Sequence, residues 1–162
     1  MISKEISGHL ELLAEGFSFP TSLTFDESGA PYIAEAGLPF GGAQPGGRVW
    51  KIGPDGRHTL LAQDLRQPVN GLTFFQGSLY LSEGGHPGGS GRISRLDLDG
   101  RQTVILDNLP GPGNYHTNMV AFGPDGKLYF SQGAMTNRLC RFGCLRTGLV
   151  TSSAPCTRPT RL

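Results

Sequence analysis

The chain has 162 residues, fourteen Lys and Arg against thirteen Asp and Glu, and a formal net charge of +1. That balance leaves no electrostatic footprint for nucleic acid or an acidic membrane surface, and no run of eighteen apolar residues is present to cross a bilayer as a helix. The 25 Gly and 12 Pro would suit a disordered chain, but a hydrophobic fraction of 37% in regularly spaced runs assigns them to turns instead.

Taken in chain order, the residues from Met1 to His9 contain no apolar stretch of signal-peptide length. Gly8-His9-Leu10-Glu11-Leu12-Leu13-Ala14 then opens a pattern that returns at Gly56-Arg57-His58-Thr59-Leu60-Leu61-Ala62, an offset of 48 that also carries Pro20 onto Pro68; a third copy starts at Gly100. The next segment recurs as Ser22-Leu23-Thr24-Phe25 with Tyr32-Ile33-Ala34-Glu35, as Gly71-Leu72-Thr73-Phe74 with Tyr80-Leu81-Ser82-Glu83, and as Met119-Val120-Ala121-Phe122 with Tyr129-Phe130-Ser131-Gln132. Gly47-Arg48-Val49-Trp50-Lys51-Ile52 matches Gly91-Arg92-Ile93-Ser94-Arg95-Leu96, and each copy is followed by Asp-Gly. Every unit therefore holds four short β-type runs, separated by turn signals at Glu27-Ser28-Gly29, Asp55-Gly56, Asp99-Gly100 and Pro124-Asp125-Gly126.

A four-stranded unit of this size cannot bury both faces alone, so such units must stack, and radial stacking gives a propeller. The expected fold is all-β, an incomplete β-propeller of about three four-stranded antiparallel blades over residues 1–137, with 138–162 as an atypical tail. A β-sandwich of similar hairpins is the competing fold, and three aligned copies argue against it. Open blade faces and edges predict self-association.

The first two strands of a unit run in opposite directions, so the start of one and the end of the next share a rim. Asn70, His116 and Asn118 fall at starts, and Glu35, Glu83 and Gln132 at ends. The glycine-rich loops Gly37 to Gly47 and Gly84 to Gly91, the second holding His86, would let backbone approach a ligand. His116 is the candidate general base, since imidazole titrates near neutrality; a plain hydrogen-bonding role is the alternative. Glu35 and Glu83 are candidate ion or substrate contacts, against solvated or turn-capping carboxylates. His9 and His58 are expected to face solvent. No phosphate loop, nucleophile elbow, zinc-protease motif or dinucleotide fingerprint is present.

The stretch Asn108-Leu109-Pro110-Gly111-Pro112-Gly113-Asn114-Tyr115-His116-Thr117-Asn118, leading into Phe122-Gly123-Pro124-Asp125-Gly126-Lys127-Leu128-Tyr129, resembles the glucose/sorbosone dehydrogenase family of six-bladed quinoprotein propellers. The resemblance implies a sugar or polyol substrate, pyrroloquinoline quinone (PQQ) as hydride acceptor, calcium as the orienting ion, a periplasmic setting, and His116 as the base, with Asn118, Asn70 and Gln132 near the cofactor. Tyr115 stands where glucose-oxidising members carry an acid, and Gln132-Gly133 where they carry Gly-Asp; the groups that hold the quinone in that family lie in later blades. A calcium-dependent gluconolactonase-like hydrolase, with Glu35, Asn70 and Asn118 as ligands, and a non-catalytic binding propeller are the competing functions.

Beyond residue 125 the chain carries six basic residues and no acid, and Cys140, Cys144 and Cys156 are its only cysteines. Their spacing lacks a second ligand pair for zinc. Arg138-Leu139-Cys140-Arg141-Phe142 reads as a degenerate copy of Arg92 to Leu96, or the whole tail as the product of a shifted reading frame, disordered as a result. The composition change favours the shifted frame.

Overall fold

The computed structural model describes Gly8, 11–38, 44–85, 89–111, 116–133 and 143–145, and these residues form strands and turns with no helix. The first sheet is a meander of β1 (Pro20–Phe25), β2 (Pro31–Glu35), β3 (Gly47–Ile52) and β4 (His58–Leu65); the second repeats it with β5 (Val69–Phe75), β6 (Ser78–Gly84), β7 (Gly91–Asp97) and β8 (Gln102–Leu109). The third sheet has β9 (Thr117–Phe122), β10 (Leu128–Gln132) and β11 (Gly143–Leu145) in the same order. All pairings are antiparallel. This is an incomplete β-propeller of three consecutive blades, stacked through their first strands β1, β5 and β9.

The turns follow from one local device used four times. The N–H of Asp26, Gly53, Asp97 and Gly123 donates to the carbonyl four residues on, at 2.8 to 3.0 Å. Asp26, Asp55, Asp99 and Asp125 each accept the N–H two residues later, at 2.9 to 3.2 Å. Gly29, Gly56, Gly100 and Gly126 supply the positive φ that each turn requires. The second blade's first hairpin instead turns on Gln76-Gly77, both with positive φ, as a two-residue hairpin demands.

Burial on both faces decides which blade is complete. Tyr32, Ala34, Val49 and Leu65 of the first blade pack with Val69, Leu72, Leu79, Leu81 and Leu96 of the second, while Ile93 joins Val120 and Leu128 of the third. Among the described residues only the middle blade is covered on both sides. Register makes Leu23, Leu72 and Val120 equivalent, since they pair with Ile33, Leu81 and Phe130. Leu72 and Val120 are each 2% exposed, whereas Leu23 is 50% exposed. One sequence position is thus core in two blades and surface in the first.

The register also corrects the sequence alignment by one residue. Pro20, Val69 and Thr117 lie opposite Glu35, Glu83 and Gln132, so Pro68 corresponds to Phe19 and His116 and not to Pro20. Each pairing then slips by one at Thr21, Asn70 and Asn118. A bulge adds a residue without a local sequence signature and re-aims its side chain. In the tail, β11 pairs Leu145 with Leu128 as Leu96 pairs with Leu79, three residues beyond the copy proposed from sequence. The other tail residues, Cys140 and Cys156 included, lie outside the described residues, as do His9 and His86.

Leu72→Ala should cost about 2 to 5 kcal/mol of stability, and the equivalent Leu23→Ala less than about 0.5 kcal/mol, as read by urea unfolding. Acid dependence follows from the turns: hydrogen bonding by Ser28, then by the Ala30 N–H and the Tyr32 hydroxyl, holds the Asp26 carboxyl below its ordinary value of 3.8. Its stabilisation is present above that value and is lost as pH falls through the lower folded-state value. In Asp26→Asn it should be missing already at neutral pH, so the drop in stability between neutral and acidic pH should shrink.

Candidate functional site

The six polar residues picked out by the repeat share one rim, because β1/β2, β5/β6 and β9/β10 each bring a strand start against a strand end. Their side chains divide into two groups with different roles. Glu83 is fully buried. It accepts bidentate donation from Arg92 at 2.8 and 3.0 Å, the Arg66 backbone N–H at 3.0 Å, Gln102 Nε2 at 2.9 Å and the Ser94 hydroxyl. The carboxylate is turned across its own sheet toward β7 and β8, and every lone-pair direction is taken up.

Glu35 repeats the arrangement in simpler form. It is 4% exposed, accepts the Ser18 N–H at 2.6 Å, and has Arg48 at 3.8 Å. Both glutamates therefore accept a backbone N–H from seventeen residues upstream and pair with the arginine of the following strand. The signal was present in the sequence: Arg48 and Arg92 occupy matched positions, and the third blade carries Gln132 in place of an acid. Gln132 accepts the Thr117 hydroxyl at 2.8 Å and donates to the Pro110 carbonyl at 3.0 Å, so it ties loop to strand without charge.

The second group faces between blades. Asn70 Nδ2 donates to the Thr117 carbonyl at 3.0 Å, and Thr21 Oγ1 donates to the Val69 carbonyl at 2.7 Å, the same bond one blade earlier. Asn118 is the third member of that series; no hydrogen bond of its amide is found among the described residues.

His116 immediately precedes β9. Its backbone carbonyl accepts the Gly133 N–H at 2.9 Å, and its Nδ1 lies 2.8 Å from the Gly85 carbonyl. A carbonyl can only accept, so Nδ1 carries the hydrogen and, in the neutral ring, Nε2 carries the lone pair. Gly85 makes this approach possible: its φ is +88°, and a Cβ there would lie 2.9 Å from both His116 Cα and Thr117 N. The sequence located the imidazole at the rim, but not the carbonyl that fixes its tautomer.

The quinone and calcium implied by the resemblance would need a set of cations and a cluster of acidic ligands. Among the described residues no three His, Cys, Asp or Glu side chains gather to hold a metal ion. Arg48 and Arg92 are committed to Glu35 and Glu83, Arg66 to Asp107, Arg95 and Arg101 to Asp97, Arg57 to Asp55 and Lys127 to Asp125, while Lys51 of β3 stands over the Tyr32 ring, away from the rim residues. A polyanionic quinone needs cations, so the described residues do not fit as its holding set, and Glu35 and Glu83 do not fit as calcium ligands.

The fold thus defines a partial β-propeller with a polar rim at the ends of its inner strands. Neither the family models nor the curated proteins contain a match to this chain. Among solved structures it is similar to an oxidoreductase of Thermus thermophilus described as a glucose dehydrogenase, at 25% identity and a TM-score of 0.57, over 76% of this chain and 39% of that one. It is also similar to the PQQ-bound aldose sugar dehydrogenase of Streptomyces coelicolor (18% identity, TM-score 0.59, covering 76% and 40%) and the periplasmic gluconolactonase of Pseudomonas aeruginosa (18%, 0.53, 73% and 38%). The last two likenesses are of fold alone, and the chain spans about two fifths of each neighbour's length.

Replacing Glu83 by Gln leaves the Arg92 guanidinium, 15% exposed, without its counter-charge. Destabilisation of about 3 to 5 kcal/mol is expected by denaturant unfolding.

Proposed function

We propose that this chain is part of a β-propeller acting on a sugar or sugar-derived molecule, with His116 as the group that takes a proton from a substrate hydroxyl. The observation that carries the reading is the Nδ1–H···O=C bond to Gly85, which leaves the basic nitrogen of a neutral imidazole at Nε2 in a ring held by backbone. Oxidation of the hydroxyl with hydride transfer to a quinone is the preferred reaction. It is supported by the motif around His116 and by the similarity to an oxidoreductase described as a glucose dehydrogenase. The quinone and calcium would be held by groups outside the described residues.

Hydrolysis of a sugar lactone is the second reading. It is favoured by Asn118, two residues beyond His116, whose amide N–H groups suit a developing oxyanion. Sugar-dependent dye reduction requiring added quinone would support oxidation, and chelator-sensitive lactone opening without quinone would support hydrolysis. His116→Ala should lower whichever activity is found about 10²-fold or more, with little change in unfolding midpoint. Full activity in the variant removes His116 from the mechanism.

A further inference from the structure

The linkers that lead into the three blades differ in the polarity of one hydrogen bond. Each begins near a residue of positive φ, Gly16, Asp64 or Asn108, and two residues further on stand Ser18, Arg66 and Pro110. The backbone N–H groups of Ser18 and Arg66 donate to Glu35 and Glu83 at 2.6 and 3.0 Å. Proline has no N–H to offer, and the residue that meets it at the end of β10 is Gln132, an amide where the other blades carry an acid. There the bond runs the other way: Gln132 Nε2 donates to the Pro110 carbonyl at 3.0 Å. A carbonyl can only accept, so the amide nitrogen must point at Pro110, which leaves Oε1 to accept the Thr117 hydroxyl at 2.8 Å. An acid at 132 would set a carboxylate against a carbonyl oxygen with no proton between them.

The reversed pair sits at the foot of the longest of these linkers. Val69, the first residue of β5, lies three residues after Arg66, whereas Thr117, the first residue of β9, lies seven after Pro110. A longer linker has more conformations to lose when its ends are brought together, and the single amide of Gln132 holds both ends. Thr117 is itself fully buried against Gly91, where a Cβ would overlap its hydroxyl. His116 lies between those ends, next to Thr117. Its carbonyl accepts the Gly133 N–H at 2.9 Å, so the residue after Gln132 fixes the backbone that carries the imidazole. The linker also rests directly on the segment that supplies the Gly85 carbonyl, since a Cβ on Gly111 would overlap the Gly89 carbonyl.

We propose that Gln132 is a positioning residue for His116: its amide closes the linker between Pro110 and Thr117, and that closure keeps the imidazole within hydrogen-bond reach of the Gly85 carbonyl. Its bearing on activity rests on the reading of His116 as the base, whereas its effect on the ring does not. The Nδ1–H form of the neutral imidazole is the one that the Gly85 carbonyl selects, so the population of that form reports whether ring and carbonyl stay together.

Long-range proton–nitrogen NMR of the histidine rings tests this on the isotopically labelled full chain, at a pH where the imidazoles are neutral, with His116 identified by the signals lost in His116→Gln. The Nδ1–H form should dominate at His116. In Gln132→Glu it should give way to a mixture with the Nε2–H form, and the folding equilibrium constant should fall about tenfold. Pro110→Ala alone keeps the carbonyl and should change neither. Combining Gln132→Glu with Pro110→Ala sets a new N–H against the carboxylate, as at Ser18 and Arg66, and should return both tautomer and stability toward wild type. A general loosening of the fold would not be repaired by a substitution that adds one N–H. A wild-type ring without a dominant Nδ1–H form, an unchanged tautomer in Gln132→Glu, or a double variant no better than Gln132→Glu would each overturn the proposal. Should Gln132→Glu fail to fold, a folded double variant with the Nδ1–H ring supports the assignment and an unfolded one overturns it. If these spectra come out as expected while His116→Ala keeps full activity, the positioning role stands and the reading of His116 as base falls.

Discussion

A four-stranded blade in this chain has two apolar faces, and no helix among the described residues covers either, so each face must find another blade. Everything else in the structure is arranged around that requirement. Leu79 and Leu81 of β6 turn toward the first blade while Tyr80 packs against the third, giving the middle strand the unbroken apolar run expected of a sheet covered on both sides. The area removed from water is the main favourable term, at roughly 25 cal/mol per Å². It is non-directional, however, and cannot by itself say how far one blade is rotated from the next.

Direction comes from polar bonds along the inner strands. Ser22 exchanges hydrogen bonds with the backbone of Leu72, Thr24 accepts the Phe74 N–H at 3.1 Å, and Thr21 and Asn70 reach carbonyls one blade on. Where β5 meets β9 the approach is closer, because a Cβ on Gly71 would lie 2.8 Å from the Asn118 carbonyl oxygen and 3.0 Å from the Val120 nitrogen. The buried glutamates act at right angles to this set, holding the end of β2 or β6 to its own sheet. The rim is therefore built on a frame of satisfied charges, with the less charged residues His116, Asn118 and Asn70 left on its inner side.

Much of this was legible in the sequence. Strands and turns were visible because their signals are local: alternating apolar residues, and a glycine, preceded by Asp at Gly56, Gly100 and Gly126, where a positive φ closes a turn. The shared rim followed from antiparallel direction alone. The bulges were not visible, since one extra residue at Thr21, Asn70 or Asn118 resembles ordinary alignment noise, and the Pro20 to Pro68 match drew the alignment off by one. The role of Glu83 was hidden for a different reason. Its position at a strand end is one-dimensional information, whereas Arg66, Arg92, Ser94 and Gln102 reach it from three separate segments.

The bonds made by the bulge residues have a further consequence for how the blades vary. Thr21 and Asn70 both donate from a side chain to a main-chain carbonyl, so the join specifies the donor and leaves the accepting residue's side chain unconstrained. Val69 and Thr117 serve equally well as acceptors despite their different chemistry. Adjacent blades are thereby uncoupled as sequences while remaining coupled as solids, and each rim loop is at liberty to diverge without its neighbour having to change in step.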